Sequence, residues 1–469
     1  MNRGWIGTGV VETRFGDFDF VGGFPTAKTA RRLFEMRTFN RALEVYAEQM
    51  PGVSMFQMRK GLADFGAREC HQIVVWKTLM DAHTELLTGN SETVYAIGFL
   101  DLKRDGPTVI DVPPGMLGGV SEMWQSELIA IGPMGADKGK GGKFLLLPPD
   151  YHGTPPAGYT LATSQTYGVM VGLRGFLVDG QPDAAVAQFD ALKIYPLARA
   201  ENPPAMMLID GSQHDIETVF ADSFSFYEDL AELIGEEPAD AVPPYERFHL
   251  ASIGIEKGKP FLPDVGRRQL LTDAACLASA IARTNTFASN DTERLVYPDR
   301  RWEWAFLGGS AQWDTQGFVN SDRRAAFAYA AVGMGTGMVR KVIGQGSQYL
   351  WTMRDADGKY LDGGRTYRLR LPNKIPVAQF WSVVVYDPMS RSMLKTGQRF
   401  PSVSQYTNPE RSDDGSIEIY FGPRAPNERS ANWIETLEHR GWFALLRFYG
   451  PTRPFFDKAW KPSDIELLD

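Results

Sequence analysis

Two apolar runs stand out from the pattern of the chain. Phe380-Trp-Ser-Val-Val-Val-Tyr-Asp387 is almost wholly β-branched or aromatic and runs into an Asp-Pro turn. Trp442-Phe-Ala-Leu-Leu-Arg-Phe-Tyr449 is a second such run and ends at Gly-Pro. Apolar residues on both faces predict strands inside a packed sheet, and the two are expected to pair. Tyr367-Arg-Leu-Arg-Leu371 alternates, so Tyr367, Leu369 and Leu371 face inward. Ile417, Ile419 and Phe421 repeat that alternation after the turn Asp413-Asp-Gly415. Ser347 to Arg354 reads as a further strand before an Asp-Gly hairpin turn. The C-terminal region is therefore expected to be an antiparallel jelly-roll β-sandwich.

The period changes upstream. Thr26 to Met50 carries a helical stripe through Leu33, Met36, Leu43, Val45 and Tyr46, which Pro51-Gly52 is expected to stop. A second helix follows from Met55 to Phe65. Between residues 71 and 198 short strands return at 73–76, 93–100, 107–112, 144–147 and 168–178, joined by Gly-, Pro- and Asp-rich connections. Their spacing predicts another β-sandwich. Helices dominate again from 199 to 345, with expected starts near Ser223, Asp264 and Ser321. The reading is four regions: an N-terminal arm and helices at 1–70, a β-sandwich at 71–198, a helical region at 199–345 and a jelly roll at 346–469.

Composition narrows the class without naming a function. The 469 residues are 43% hydrophobic and 23% charged, ordinary values for a globular chain. A net charge of −8 argues against a nucleic-acid partner, which needs a basic surface. No run of about 18 apolar residues is present to cross a membrane. The N-terminal sequence lacks the apolar core of a signal peptide, so a cytoplasmic protein is expected, or a periplasmic one if a leader has been removed. Two cysteines, Cys70 and Cys276, do not make a disulfide framework, and each is expected to be buried.

The common catalytic patterns fail one by one. The six histidines never occur as His-x-His or His-x-x-x-His, so no histidine metal site is expected. Gly308-Gly-Ser-Ala-Gln312 lacks the last glycine of a nucleophile elbow. Gly333-x-Gly-x-Gly337 follows a helical segment where a dinucleotide loop follows a strand. No cofactor is called for.

What remains is charge inside apolar strands. Arg174 interrupts the run from Val169 to Val178, and Arg447 interrupts the run before Gly450. A buried guanidinium needs an acidic partner or an anionic ligand. The structural account is two ion pairs, Glu92–Arg174 and Asp387–Arg447. The functional account is a cavity in which the arginines hold a carboxylate through forked hydrogen bonds. On that account Glu92 or Asp387 moves a proton, and Tyr95 and Tyr386 orient the substrate. Asn90, Arg391, Trp381 and Trp433 complete the candidate binding set.

Longer matches surround these residues. They are Leu87-Thr-Gly-Asn-Ser-Glu-Thr-Val-Tyr95, Tyr167 to Gly180, Ile253 to Phe261, Phe380 to Leu394, Ser416 to Pro426 and Gly441 to Pro451. In them the chain resembles the bacterial family that pairs two domains of unknown function, numbered twelve fifty-four and twelve fourteen. The resemblance implies an immunoglobulin-like sandwich, a small helical domain and a C-terminal jelly roll. It implies no reaction. Lys395-Thr-Gly departs from the family pattern, where Gln-Thr-Asp is expected.

The expectation is a mainly β, cofactor-independent enzyme of hydrolase or lyase type, acting on a small, partly apolar molecule with a carboxylate or polar head. The alternative is a non-catalytic carbohydrate or small-ligand binder using Trp302, Trp304, Trp313 and Trp351 as exposed stacking faces. A third reading is a homo-oligomer in which the N-terminal arm exchanges between subunits.

Overall fold

A computed structural model describes residues 9–307, 310, 313–315, 317–426 and 430–468. Residues 1–8 of the expected arm lie outside this set. So do Gly308, Gly309, Ala311 and Gln312 of the near-miss nucleophile motif.

The chain is mainly β, with helices packed onto the sheets. The first sandwich sets a six-stranded sheet against a four-stranded one. Val75, Val94, Ala96, Val171 and Leu173 of the larger sheet meet Ile110, Val112, Phe144, Leu146 and Ile194 of the smaller in a core of their own. The second sandwich sets a five-stranded sheet against a four-stranded one. Leu350, Val383, Val385, Leu446 and Phe448 pack there against Tyr367, Leu369, Ile417, Ile419 and Phe421.

The expected central pair is present. Trp381–Tyr386 and Phe443–Tyr449 run antiparallel, with Trp381 opposite Phe448 and Tyr386 opposite Phe443. Not every pairing is antiparallel, however. Ile417–Gly422 pairs in parallel with Trp433–Glu435, as do Gly142–Leu147 with Thr160–Thr163 and Gln72–Val75 with Met207–Asp210. Two strands with too little alternation to be read in advance, Leu117–Glu122 and Glu127–Ile131, close the edge of the six-stranded sheet.

A third core joins the two sandwiches. It unites the outward faces of the six- and five-stranded sheets with the buried faces of helices Ala27–Asp64, Ser225–Glu236, Pro244–Ile253, Val265–Phe287 and Ser321–Ala330. Asp264 caps its helix as expected, accepting from the Arg267 amide at 2.7 Å. Cys70 is buried, but Cys276 lies exposed on the Val265–Phe287 helix and corrects the expectation for it.

Pro51-Gly52 does not end the first helix, which runs unbroken through 38 residues. An interior proline costs about 3 kcal/mol because it removes one hydrogen bond and crowds the preceding turn. The surrounding turns bury Met50, Val53, Met55 and Phe56 almost completely. At roughly 1.5–3 kcal/mol for each such side chain, that burial outweighs the proline. Gly52 is required by a neighbour: a Cβ there would stand 2.8 Å from the Trp124 indole nitrogen.

Glu237, just past the Ser225–Glu236 helix, ties the helical layer to the first sandwich. Its buried carboxylate accepts from the Tyr167 amide at 2.6 Å and the Gly168 amide at 2.9 Å. Burial lifts its pKa to about 7, against the pull of those two donors. A carboxyl whose folded pKa is raised holds its proton longer in the folded than in the unfolded state, so stability falls as pH rises from the unfolded value to the folded one. Wild-type stability should therefore drop by about 3 kcal/mol between pH 4.5 and 7 relative to Glu237→Gln. Chemical denaturation of both proteins across that range checks the slope.

Candidate functional site

The site is built where the two larger sheets face each other. Strand alternation decides which side chains reach it. On Thr93–Asp101 and Gly168–Phe176, Tyr95 and Arg174 are direct cross-strand neighbours on the outward face. The Arg174 guanidinium lies over the Tyr95 ring, 4.7 Å from its centroid. On the five-stranded sheet, Tyr349, Ser382, Tyr386, Arg447 and Tyr449 occupy the facing side, with Arg447 opposite both Tyr349 and Ser382. Two arginines and four tyrosines thus share one interlayer.

The Leu87–Tyr95 segment plugs into this layer. Thr88, with φ at 43°, turns the chain so that successive carbonyls point at the second sheet. Arg447 Nη2 donates to the Thr88 carbonyl at 2.7 Å and the Gly89 carbonyl at 3.2 Å. Tyr386 donates to the Gly89 carbonyl at 2.5 Å. Asn90 donates to the Tyr449 hydroxyl at 3.0 Å. The Thr88 amide in turn donates to the Arg391 carbonyl at 2.8 Å.

Beside this junction lies a cavity of about 150 Å³. Its walls are largely apolar, with Met58, Ile97, Met134, Met170, Met334 and Leu445 among them. Tyr95, Arg174, Tyr349 and Arg447 form one polar cluster in the wall, and Ser121, Ser347 and Glu127, whose carboxylate accepts from the Thr336 amide and hydroxyl, also line the cavity. Tyr349 shares a 2.6 Å hydrogen bond with Ser347. Among the described residues neither Arg174 nor Arg447 has an ion-pair partner, and Arg447 Nη1 is buried with no hydrogen-bond acceptor. Burial works against the charge on both guanidiniums, Arg447 buried and Arg174 half-buried, yet both stay protonated among neutral tyrosine hydroxyls. Burial pushes the Tyr95 phenol above its ordinary pKa, so it stays a neutral donor. The arginine–tyrosine cluster therefore offers donors and positive charge.

The structure corrects both expected ion pairs. Asp387 pairs with Arg440 at 2.7 Å and caps the Met389 amide at 2.6 Å, so it is a turn residue away from Arg447. Glu92 does not reach Arg174. It sits buried behind Arg447, bonded through Oε1 to the Ser91 hydroxyl at 2.9 Å, while Oε2 finds no partner among the described residues. Burial raises its pKa, with Ser402 and the Arg447 charge pulling the other way.

The remaining candidates divide cleanly. Tyr95, Arg174 and Arg447 line the cavity, and Asn90, Tyr386 and Glu92 form the layer behind it. Arg391 is buried elsewhere, its guanidinium donating to the Tyr329 carbonyl at 3.0 Å and stacking on the Tyr329 ring. Trp381 belongs to the core of the second sandwich. Trp433 donates to the Gly422 carbonyl at 2.9 Å and does not line the cavity. Trp302, Trp313 and Trp351 are buried and Trp304 half-buried, which corrects the expectation of four exposed stacking faces. Tyr349 and the glycine-rich walls at 118–119, 172 and 333–337 were not anticipated. Tyr349 carried a signal all the same, since its strand pairs with the one that holds Arg447.

Comparison with known proteins places these features in a family. Residues 70–196 match the family described as a protein of unknown function, DUF1254, and residues 346–453 match another so described, DUF1214. The chain belongs to the proteins that join these two domains. The Thr88–Asn90 plug and Arg174 thus come from the DUF1254 region, and Arg447 and Tyr349 from the DUF1214 region. The cavity lies between them. The crystal structure of the VPA0106 protein from Vibrio parahaemolyticus is similar in fold, with a TM-score of 0.54 at 18% identity, covering 92% of this chain and all of that one. An uncharacterised protein from Burkholderia cenocepacia aligns over 94% of this chain and 97% of its own, at 13% identity and a TM-score of 0.42. No curated protein matches the chain.

The junction sets a stability ranking. Tyr386→Phe removes one neutral donor from a carbonyl that keeps Arg447 and should cost about 1 kcal/mol. Arg447→Met strips charged donors from two buried carbonyls and should cost about 2–3 kcal/mol. Urea unfolding of the two variants checks the order.

Proposed function

We propose that the cavity between the two sheets binds a small, partly apolar molecule through a carboxylate or similar oxyanion, and that the protein is a hydrolase or lyase acting on it without an organic cofactor. The observation that carries this reading is the pair of arginines, neither with an ion-pair partner among the described residues, in the wall of a largely apolar cavity. Burying such charge without compensation is costly, and an anion on the two guanidiniums supplies the compensation. A planar carboxylate suits the forked geometry of arginine. The methionine-rich wall suits an apolar body, because thioethers adapt to its shape.

The chemistry on offer is stabilisation of negative charge on oxygen. Tyr95 and Tyr349 bring hydroxyl donors beside Arg174 and Arg447, an arrangement that favours the oxyanions of ester hydrolysis or of elimination next to a carboxylate. Glu92 stands behind Arg447 and tunes its charge, a positioning role. Its ionisation would offset the positive field, so ligand affinity should weaken as pH rises through the Glu92 pKa.

Two measurements test this. Titration calorimetry with benzoate and hexanoate should show binding that Arg174→Gln weakens by about tenfold or more, with the melting temperature kept. Equal affinity in the two proteins removes the reading. Repeating the titration from pH 5.5 upward should give falling affinity in the wild type and a flat profile in Glu92→Gln. A flat wild-type profile rejects the Glu92 role. Assays with short acyl esters and with β-hydroxy carboxylates then divide hydrolase from lyase. Binding without turnover in either assay identifies a non-catalytic binder.

A further inference from the structure

Met170, Gly172 and Arg174 follow one another on the same face of the Gly168–Phe176 strand, and all three line the cavity. A glycine inside a strand weakens it by roughly 0.5–1 kcal/mol relative to alanine. Such a glycine marks a bulge, a close backbone approach or a bound ligand. The first is absent here. Pairing is regular on both sides of Gly172, with Ile97 opposite on one strand and Gly119 on the other. The second is absent as well. Among the described residues, a Cβ at Gly172 would meet only the terminal methyl of Met170, at 3.4 Å.

Its glycine neighbours differ. A Cβ at Gly118 would lie 2.1 Å from the Gly172 carbonyl oxygen, and one at Gly119 would lie 2.4 Å from the Ile129 carbonyl oxygen. Those two glycines are dictated by backbone packing. Gly172 is not. Its backbone lies outside the left-handed region, so a larger residue adopts it without strain. What a side chain at 172 would fill is the cavity beside the Arg174 head group.

We propose that Gly172 is the specificity-determining residue of the pocket, leaving room beside Arg174 for the body of a monocarboxylate the size of one aromatic ring or a chain of about six carbons, since a void near 150 Å³ accommodates benzene. This rests on the reading of the cavity as an anion-binding site. It adds the size class of the ligand and the position that sets it. Gly172→Val fills the space for the body and leaves both arginines in place. Gly172→Ala fills less of it.

The test is ligand-observed NMR with propionate, hexanoate and benzoate on the wild type, Gly172→Ala and Gly172→Val, alongside their melting temperatures. Both variants should melt at or above the wild-type temperature. Gly172→Val should lose about tenfold or more in affinity for benzoate and hexanoate, the scale set by methylenes that no longer fit. Gly172→Ala should fall between, and propionate should bind all three proteins alike. Undiminished benzoate binding by Gly172→Val overturns the size role, as does a variant that fails to fold, because the glycine would then be structural. If no carboxylate binds the wild type, the anion-site reading falls and this inference with it. If the wild type binds and only the size ladder is flat, the anion site stands and the role of Gly172 does not.

Discussion

Everything about the interlayer depends on one docking event. The carbonyls of Thr88 and Gly89 are satisfied by a guanidinium and a phenol from a strand pair more than 290 residues away in the chain. A turn that buries two carbonyls without partners would be too costly to keep. Arg447 and Tyr386 remove that cost, and in doing so they fix the distance between two sheets with separate cores. The cavity lies beside this junction, with Thr88, Gly89 and Arg447 in its wall.

The same arrangement accounts for the electrostatics. Arg447 spends one terminal nitrogen on backbone carbonyls and leaves the other buried without an acceptor. Arg174 spends its face on the Tyr95 ring. Among the described residues neither is neutralised by a carboxylate in contact, and Glu92, the acid behind Arg447, is itself driven toward its neutral form by burial. A structural role for Arg447 and a ligand role are therefore carried by different nitrogens of one side chain. An ion-pair reading of the sequence asks only which acid lies near, and misses this division.

Much of the fold was legible, and the reasons are local. Alternation at Tyr367–Leu371 and Ile417–Phe421, and the unbroken apolar runs at 381–386 and 443–449, follow from a period of two that packing then obeys. The first helix was misread at Pro51-Gly52 because tertiary burial overrode a local penalty. The strands 117–122 and 127–131 were missed because glycines and a bulge between Val120 and Ser121 interrupt their pattern. Of the site, Arg174 and Arg447 were legible as misfits within apolar runs. Their partners were not. The Asp387–Arg440 pair is set by where a loop returns, which no periodicity encodes.

The position of the cavity has a thermodynamic corollary. Each sandwich keeps its own apolar core, so the interlayer is a seam whose parting would cost the third core and the junction but leave those two cores intact. A molecule seated there touches residues from both halves and has no site once the seam parts. By mass action its binding free energy adds directly to the cost of opening, rising with ligand concentration. Occupancy would then register as reduced amide exchange at Thr88–Glu92 and along Phe443–Tyr449, on both sides of the seam at once, well before it altered the exchange of either core.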